Sequence, residues 1–140
     1  MVALSEEVQR FIDGPNLAIF VTLMKDGSPQ ATMVWVDHDV EHVLINTPRG
    51  SQKDRNLARD RRVALCVVDR NQPQRYVQIR GRVVEIAGGD EAWQHINKLS
   101  QKYSGRDYPQ HQERIKVVID PLHVSSQGGR RGGGQTSRWG

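Results

Sequence analysis

The chain has 140 residues, 36% of them hydrophobic and 26% charged, which suits one domain with its own core. No apolar run approaches the roughly 18 residues that a membrane-crossing helix needs. The net charge of +4 invites a nucleic-acid reading, but Arg130, Arg131 and Arg138 fall in an acid-free stretch after Ser125; without them 17 basic residues face 16 acidic ones, so the domain is near neutral and nucleic acid is not an expected partner.

From the N-terminus, where neither a basic nor an apolar leader segment is seen, residues 5–13 read as an amphipathic helix. Ser5 is its cap, Glu6 and Glu7 suit its first turn, and Val8, Phe11 and Ile12 are its apolar face. Gly14-Pro15 stops it. A strand follows over 17–23. Lys25-Asp26-Gly27-Ser28 turns the chain, Asp-Gly favouring the positive φ angles of a tight hairpin. The returning strand covers 29–36, and a third covers 41–45 after the polar turn Asp37-His38-Asp39. Residues 52–60 read as a short helix with Leu57 and Ala58 as its main apolar positions. A fourth strand covers 62–69. It contains Cys66, the only cysteine, which reads as a buried small hydrophobe with no disulfide partner; the expected compartment is the cytoplasm.

The fifth strand, 76–86, places Val77, Ile79, Gly81 and Val83 on one face. Its pattern changes phase at Val83-Val84, so a bulge or bend is expected near Gly81. Residues 90–103 carry the strongest helical pattern, with Ala92, Ile96, Leu99 and Tyr103 on one side. The sixth strand covers 115–119 and resumes at 122–124 after Pro121. Six strands, hairpin-linked at the start, with one substantial helix, describe a mainly β protein built as a small antiparallel barrel. The barrel domain spans residues 1–126, and residues 127–140, rich in glycine and arginine, read as a flexible tail.

The segment Asn46-Thr47-Pro48-Arg49-Gly50-Ser51-Gln52-Lys53-Asp54-Arg55-Asn56-Leu57 is the most informative one. A strand end, a glycine turn and a helix start free backbone N–H groups, and Arg49, Lys53 and Arg55 add full positive charge, the makings of a phosphate pocket. The same residues would also serve as a solvated basic loop. Elsewhere the five histidines lack zinc-ligand spacing, the glycine-rich tail lacks the lysine of a phosphate loop, and no hydrolase motif occurs.

Lys25-Asp26-Gly27-Ser28-Pro29-Gln30, Leu44-Ile45-Asn46-Thr47, the Gly50-Ser51-Gln52-Lys53 to Asn56-Leu57 stretch and Tyr76-Val77-Gln78-Ile79-Arg80-Gly81, in this order and at these intervals, resemble the pyridoxamine 5′-phosphate oxidase-like superfamily of split β-barrel flavin and deazaflavin proteins. The resemblance covers about residues 5–124. It implies a homodimer with the cofactor in a groove between protomers. Ala31, Thr32, Met33, Val34 and Trp35 would flank its ring system, mostly through backbone. Thr47 and Ser51 match hydroxyl positions near the phosphate, with Asn46 and Asn56 beside them, and Lys53 matches the phosphate-binding cation. Tyr76 falls where the partner protomer reaches the cofactor.

The flavin-phosphate oxidases of that family carry arginine just before the lysine. Here the residue is Gln52, and Arg49 or Arg55 is the expected substitute. Lys53-Asp54-Arg55-Asn56-Leu57 is closer to the deazaflavin branch, whose coenzyme F420 carries a phosphodiester and a polyglutamate tail, and Arg49, Lys53, Arg55 and Arg59 are the spread cations such an anion would meet. The resemblance thus implies an F420-dependent oxidoreductase that passes hydride to a small organic substrate. Flavin mononucleotide (FMN) as cofactor, or a non-catalytic cofactor carrier, are the alternatives. Met33, Trp35 and Tyr76 would form an apolar wall for a planar substrate, or Trp35 a residue of the dimer interface.

Overall fold

The computed structural model describes residues 2–128. Its elements are α1 (Glu6–Asp13), β1 (Leu17–Leu23), β2 (Pro29–Val34), β3 (Val36–His38), β4 (Val43–Pro48), α2 (Gln52–Arg59), β5 (Arg62–Val68), β6 (Tyr76–Ala87), α3 (Gly89–Ser104) and β7 (Arg114–Gln127). All pairings are antiparallel, in one curled sheet of order β2-β1-β5-β6-β7-β4-β3. The molecule is the mainly β split barrel expected, with seven strands in place of six. The difference arises at Trp35, which interrupts the returning strand and divides it into β2 and β3. Asp37 and His38 therefore belong to a strand. The turn moves to residues 39–42, where the Asp39 carboxylate accepts from the N–H groups of Glu41 and His42.

That interruption is how the sheet closes on itself. β2 pairs only with β1 and β3 only with β4, so the two edges of the sheet are one chain segment bent at Trp35. Between β2 and β4 the barrel stays open, and among the described residues the side of β2 away from β1 has no strand partner.

Inside the curl, alternate residues of every strand form the core, with Phe20, Ile45, Leu65, Ile79, Ile115 and Ile119 fully buried, and Ile12 and Leu57 seal it from α1 and α2. Ser5 caps α1, its hydroxyl accepting from the Val8 N–H. In the first hairpin only Gly27 adopts a positive φ, 87°, rather than the Asp-Gly pair together; Asp26 acts through its side chain, accepting from the N–H and hydroxyl of Ser28. The bend expected near Gly81 is present as register shifts at Arg80/Gly81 and Val83/Glu85. There β7 crosses so closely that a Cβ on residue 81 would collide with the Asp120 carbonyl. β7 runs without interruption through Pro121 to Gln127, one residue beyond the domain boundary read from the sequence, and residues 129–140 of the tail lie outside the described residues. α3 packs against β4 and β7, and its Ala92, Ile96 and Leu99 are buried, as are Leu44 and Val118 of the two strands. Among the described residues no helix is long and apolar enough to cross a membrane.

Candidate functional site

The open seam of the barrel is a cleft of about 270 Å³. Met33, Val34 and Trp35 form one side where β2 ends, and Asn46, Thr47 and Pro48 of β4 form the other. Lys53 of α2, Ile96 of α3, Tyr108 and Arg114 complete it. Each part has a local cause. β4 runs out at Pro48, and Gly50, at φ 83°, turns the chain so that Ser51 can cap α2. The Ser51 hydroxyl accepts from the Asp54 N–H at 3.2 Å and lies 3.3 Å from the Thr47 hydroxyl. Lys53, one residue into the helix, then falls at the cleft.

Two cations share the end of this cleft. Lys53 has no carboxylate partner among the described residues; its partial burial pushes the ammonium below its ordinary pKa, and the nearby Arg114 charge pushes it further. Arg114 is 9% exposed, and burial likewise lowers its pKa. Its Nε donates to Asn46 Oδ1 at 2.6 Å, and Nη1 donates to the Tyr108 hydroxyl and Gln112 Oε1. Its guanidinium carbon lies 4.9 Å from the Tyr108 ring centroid. These partners are neutral, so among the described residues no carboxylate pairs with the guanidinium. An anion entering here would relieve both the desolvation and the mutual repulsion.

The wall of the cleft is aromatic. Trp35 stacks on Tyr103 with centroids 5.2 Å apart and planes at 4°, and meets Tyr108 edge-on at 6.5 Å. The Tyr103 hydroxyl donates to the Asn16 carbonyl at 2.6 Å, which fixes the stack from behind. On the inner face of β2, in line with Val34, the Gln30 Oε1 and Thr32 Oγ1 atoms are buried without a hydrogen-bond partner among the described residues.

Of the residues singled out from the sequence, Met33, Val34, Trp35, Asn46, Thr47 and Lys53 come together at the cleft. Ser51 supports it as a helix cap. The others are placed elsewhere. Arg49 pairs with Glu113 at 3.2 Å. Arg55 donates to the Gly50 carbonyl and Gln52 Oε1, and Arg59 to the Leu23 carbonyl and Asn56 Oδ1. Asn56 is fully buried, its amide donating to Thr22 Oγ1. Tyr76 begins β6 opposite Val68, outside the cleft of its own chain, and Ala31 is exposed on the outer face of β2. Gln52 is bound to Asn56 and Arg55. The second cation at the cleft is therefore Arg114 rather than Arg49 or Arg55. Sequence reasoning missed it, with Tyr108 and Ile96, because Arg114 ends a polar run and its side chain is held by Asn46 and Tyr108, neither adjacent to it in sequence. The one available signal was its place immediately before the alternating run Ile115-Lys116-Val117-Val118-Ile119.

Comparison with known proteins agrees with this architecture. Residues 4–127 match the family model described as pyridoxamine 5′-phosphate oxidase. An F420 reductase of known structure is 28% identical, with a TM-score of 0.75 over 84% of this chain and 94% of its own. A conserved hypothetical protein, Rv2991 from Mycobacterium tuberculosis, is 25% identical, with a TM-score of 0.76 over 97% of this chain and 92% of its own. A putative pyridoxamine 5′-phosphate oxidase from Listeria innocua, 14% identical over 86% of this chain and 95% of its own, shares the fold with a TM-score of 0.66. No curated protein matches. With the family model spanning nearly the whole described chain, this chain belongs to the pyridoxamine 5′-phosphate oxidase family, whose fold is of the flavin- and deazaflavin-type oxidoreductase kind.

Proposed function

We propose that the protein is a homodimeric oxidoreductase that uses the deazaflavin coenzyme F420 to pass hydride to a small organic substrate. The observation that carries the reading is the pair Lys53 and Arg114, two partly or fully buried cations without a carboxylate at the end of an aromatic-walled cleft. The donor set fits a planar cofactor with an anionic arm. Lys53 and Arg114 would hold the anion, and Thr47 would flank it. The unpaired edge of β2 and the orphaned Thr32 hydroxyl would meet polar atoms of the ring system. Such a cofactor, when bound, supplies two-electron hydride chemistry. The chain's part is to bind the anion, to hold the ring against Met33 and Trp35, and to exclude water. The 28% identity to an F420 reductase and the run from Lys53 to Leu57 favour the deazaflavin.

FMN is the second reading, favoured by one observation. Arg49, Arg55 and Arg59 are engaged elsewhere, so the cleft offers two close cations, a set that suits a single phosphate. A fluorescence titration with F420 beside one with FMN separates the two. Binding of F420 with Lys53→Ala weaker by about 1.5–3 kcal/mol is the expected result. Preference for FMN moves the protein to the flavin branch. Unchanged affinity in the variant removes the anion site altogether.

A further inference from the structure

Behind Arg114 lies a buried chain of polar groups whose donors and acceptors can be assigned without ambiguity. Asn46 faces three partners: the Ala92 carbonyl at 3.0 Å, His95 Nδ1 at 3.2 Å and Arg114 Nε at 2.6 Å. A carbonyl only accepts and a guanidinium nitrogen only donates, so Asn46 Nδ2 must point at Ala92 and its Oδ1 at Arg114. His95 Nδ1 therefore accepts, and the ring carries its proton on Nε2, which faces Asp37 Oδ2 at 3.2 Å. The His95 and Asp37 side chains are 4% and 9% exposed. Asp37 is also approached by Lys98 at 3.1 Å, and its carboxylate lies on β3, His95 on α3, Asn46 on β4 and Arg114 on β7. Four elements are thus tied in one direction, ending at the cleft.

We infer that Asp37 and His95 are positioning residues for the anion site: they hold the Asn46 amide in the one orientation that presents a carbonyl oxygen to Arg114, and so hold the guanidinium beside Lys53. The inference rests on the proposed anion site and deepens it. Asp37 keeps the imidazole proton on Nε2. With the proton on Nδ1 instead, that N–H would oppose the Asn46 NH₂. The amide would have to turn, bringing its NH₂ against Arg114 Nε and its oxygen against the Ala92 carbonyl. No orientation of the amide then satisfies all three neighbours.

The test is a set of variants read in two ways. Leucine at 95 removes both contacts, whereas glutamine can accept with Oε1 and donate with Nε2. In nitrogen-15 spectra of the whole chain, the Arg114 Nε–H signal is expected to be protected from solvent exchange in the wild type and in His95→Gln, and to lose that protection in His95→Leu. Titration with F420 and with FMN is expected to show Arg114→Met weakening binding about ten- to a hundredfold, His95→Leu by a large part of that, and His95→Gln by little. His95→Leu added to Arg114→Met should cost almost nothing more, a non-additivity that a merely structural role would not produce. Should His95→Leu fail to fold, Asp37→Ala removes the acceptor of Nε2 and is expected to weaken binding in the same way. Retention of both the Arg114 signal and the affinity in His95→Leu, or in Asp37→Ala, overturns the inference while the anion site stands. Unchanged affinity in Arg114→Met, or binding of neither cofactor, overturns the anion site itself.

Discussion

Asp37 keeps its charge in a place where burial alone would remove it. Desolvation pushes its pKa up, but hydrogen bonds from His95, the backbone at His38 and Lys98, with the Lys98 charge, reverse that and hold it far below the ordinary 3.8. A carboxylate with a depressed native pKa contributes stability above its unfolded value, and that contribution is withdrawn as the pH falls below it. Urea midpoints measured from neutral pH down through the carboxylate range should therefore show the wild type losing stability on the acid side. Asp37→Asn should be less stable at neutral pH and should converge on the wild type under acid conditions. A constant gap between the two curves would mean that the residue acts by packing, not by charge. Lys102 shows the opposite balance: burial draws its ammonium down to about 8, although Asp37 and Asp13 favour the charged form and the carbonyls of Ile12 and Val36 accept from it. Both charges lie around β3, where the sheet edge meets α3 and α1.

At the scale of elements, β6 and β7 shift register twice, at Val84, the extra residue on β6, and at Leu122, the extra residue on β7, where β7 crosses close over Gly81. A side chain at that position would run into the Asp120 carbonyl and the Ile119 Cγ2, part of a strand that cannot retreat without breaking its own ladder. Gly81→Ala should cost about 1–3 kcal/mol, the scale of overpacking, read from the denaturant midpoint. An unchanged midpoint would show that β7 can shift there at little cost. The irregularity in β6 was legible in the sequence because the phase change at Val83-Val84 is a local signal. So were α1, the first hairpin and α3, each marked by caps, turn residues or an apolar stripe over its own length. The split at Trp35 was not, since Met33 to Val36 is one apolar run; the break comes from closing the two edges on each other. Half of the lining of the candidate cleft was legible for the same reason. Thr47, Ser51 and Lys53 belong to one contiguous strand–turn–helix, whereas Arg114 and His95 reach Asn46 across 68 and 49 residues.

For the molecule as a whole, the homodimer proposed above needs an interface, and the outer face of the barrel is our candidate for it. Alternation that buries one side of β1 and β5 leaves Ile19, Val21, Ala64, Cys66 and Val68 on the other. The register aligns them in rows, Met33–Ile19–Cys66 and Ala31–Val21–Ala64, with Leu17 beside Val68. Leu17 and Met33 are 41% and 58% exposed. Arg62, Arg80 and Arg82 border this face on β5 and β6, an apolar centre with a charged rim. Tyr76 stands at its edge, away from the cleft of its own chain, so pairing two barrels through this face is the arrangement that would let the partner's Tyr76 reach the site. Cys66 sits near the middle, its thiol pushed up by burial and so a poor nucleophile. Cys66→Arg would place an unpaired charge in the centre of this proposed interface while leaving the core side of β5 untouched. Sedimentation velocity should show the wild type as a dimer and Cys66→Arg as a folded monomer, with cofactor affinity reduced because half of each site is lost. A variant that remains dimeric would mean that this face is not the interface, and a wild type that is monomeric at the same concentration would mean that the cleft is completed from within one chain.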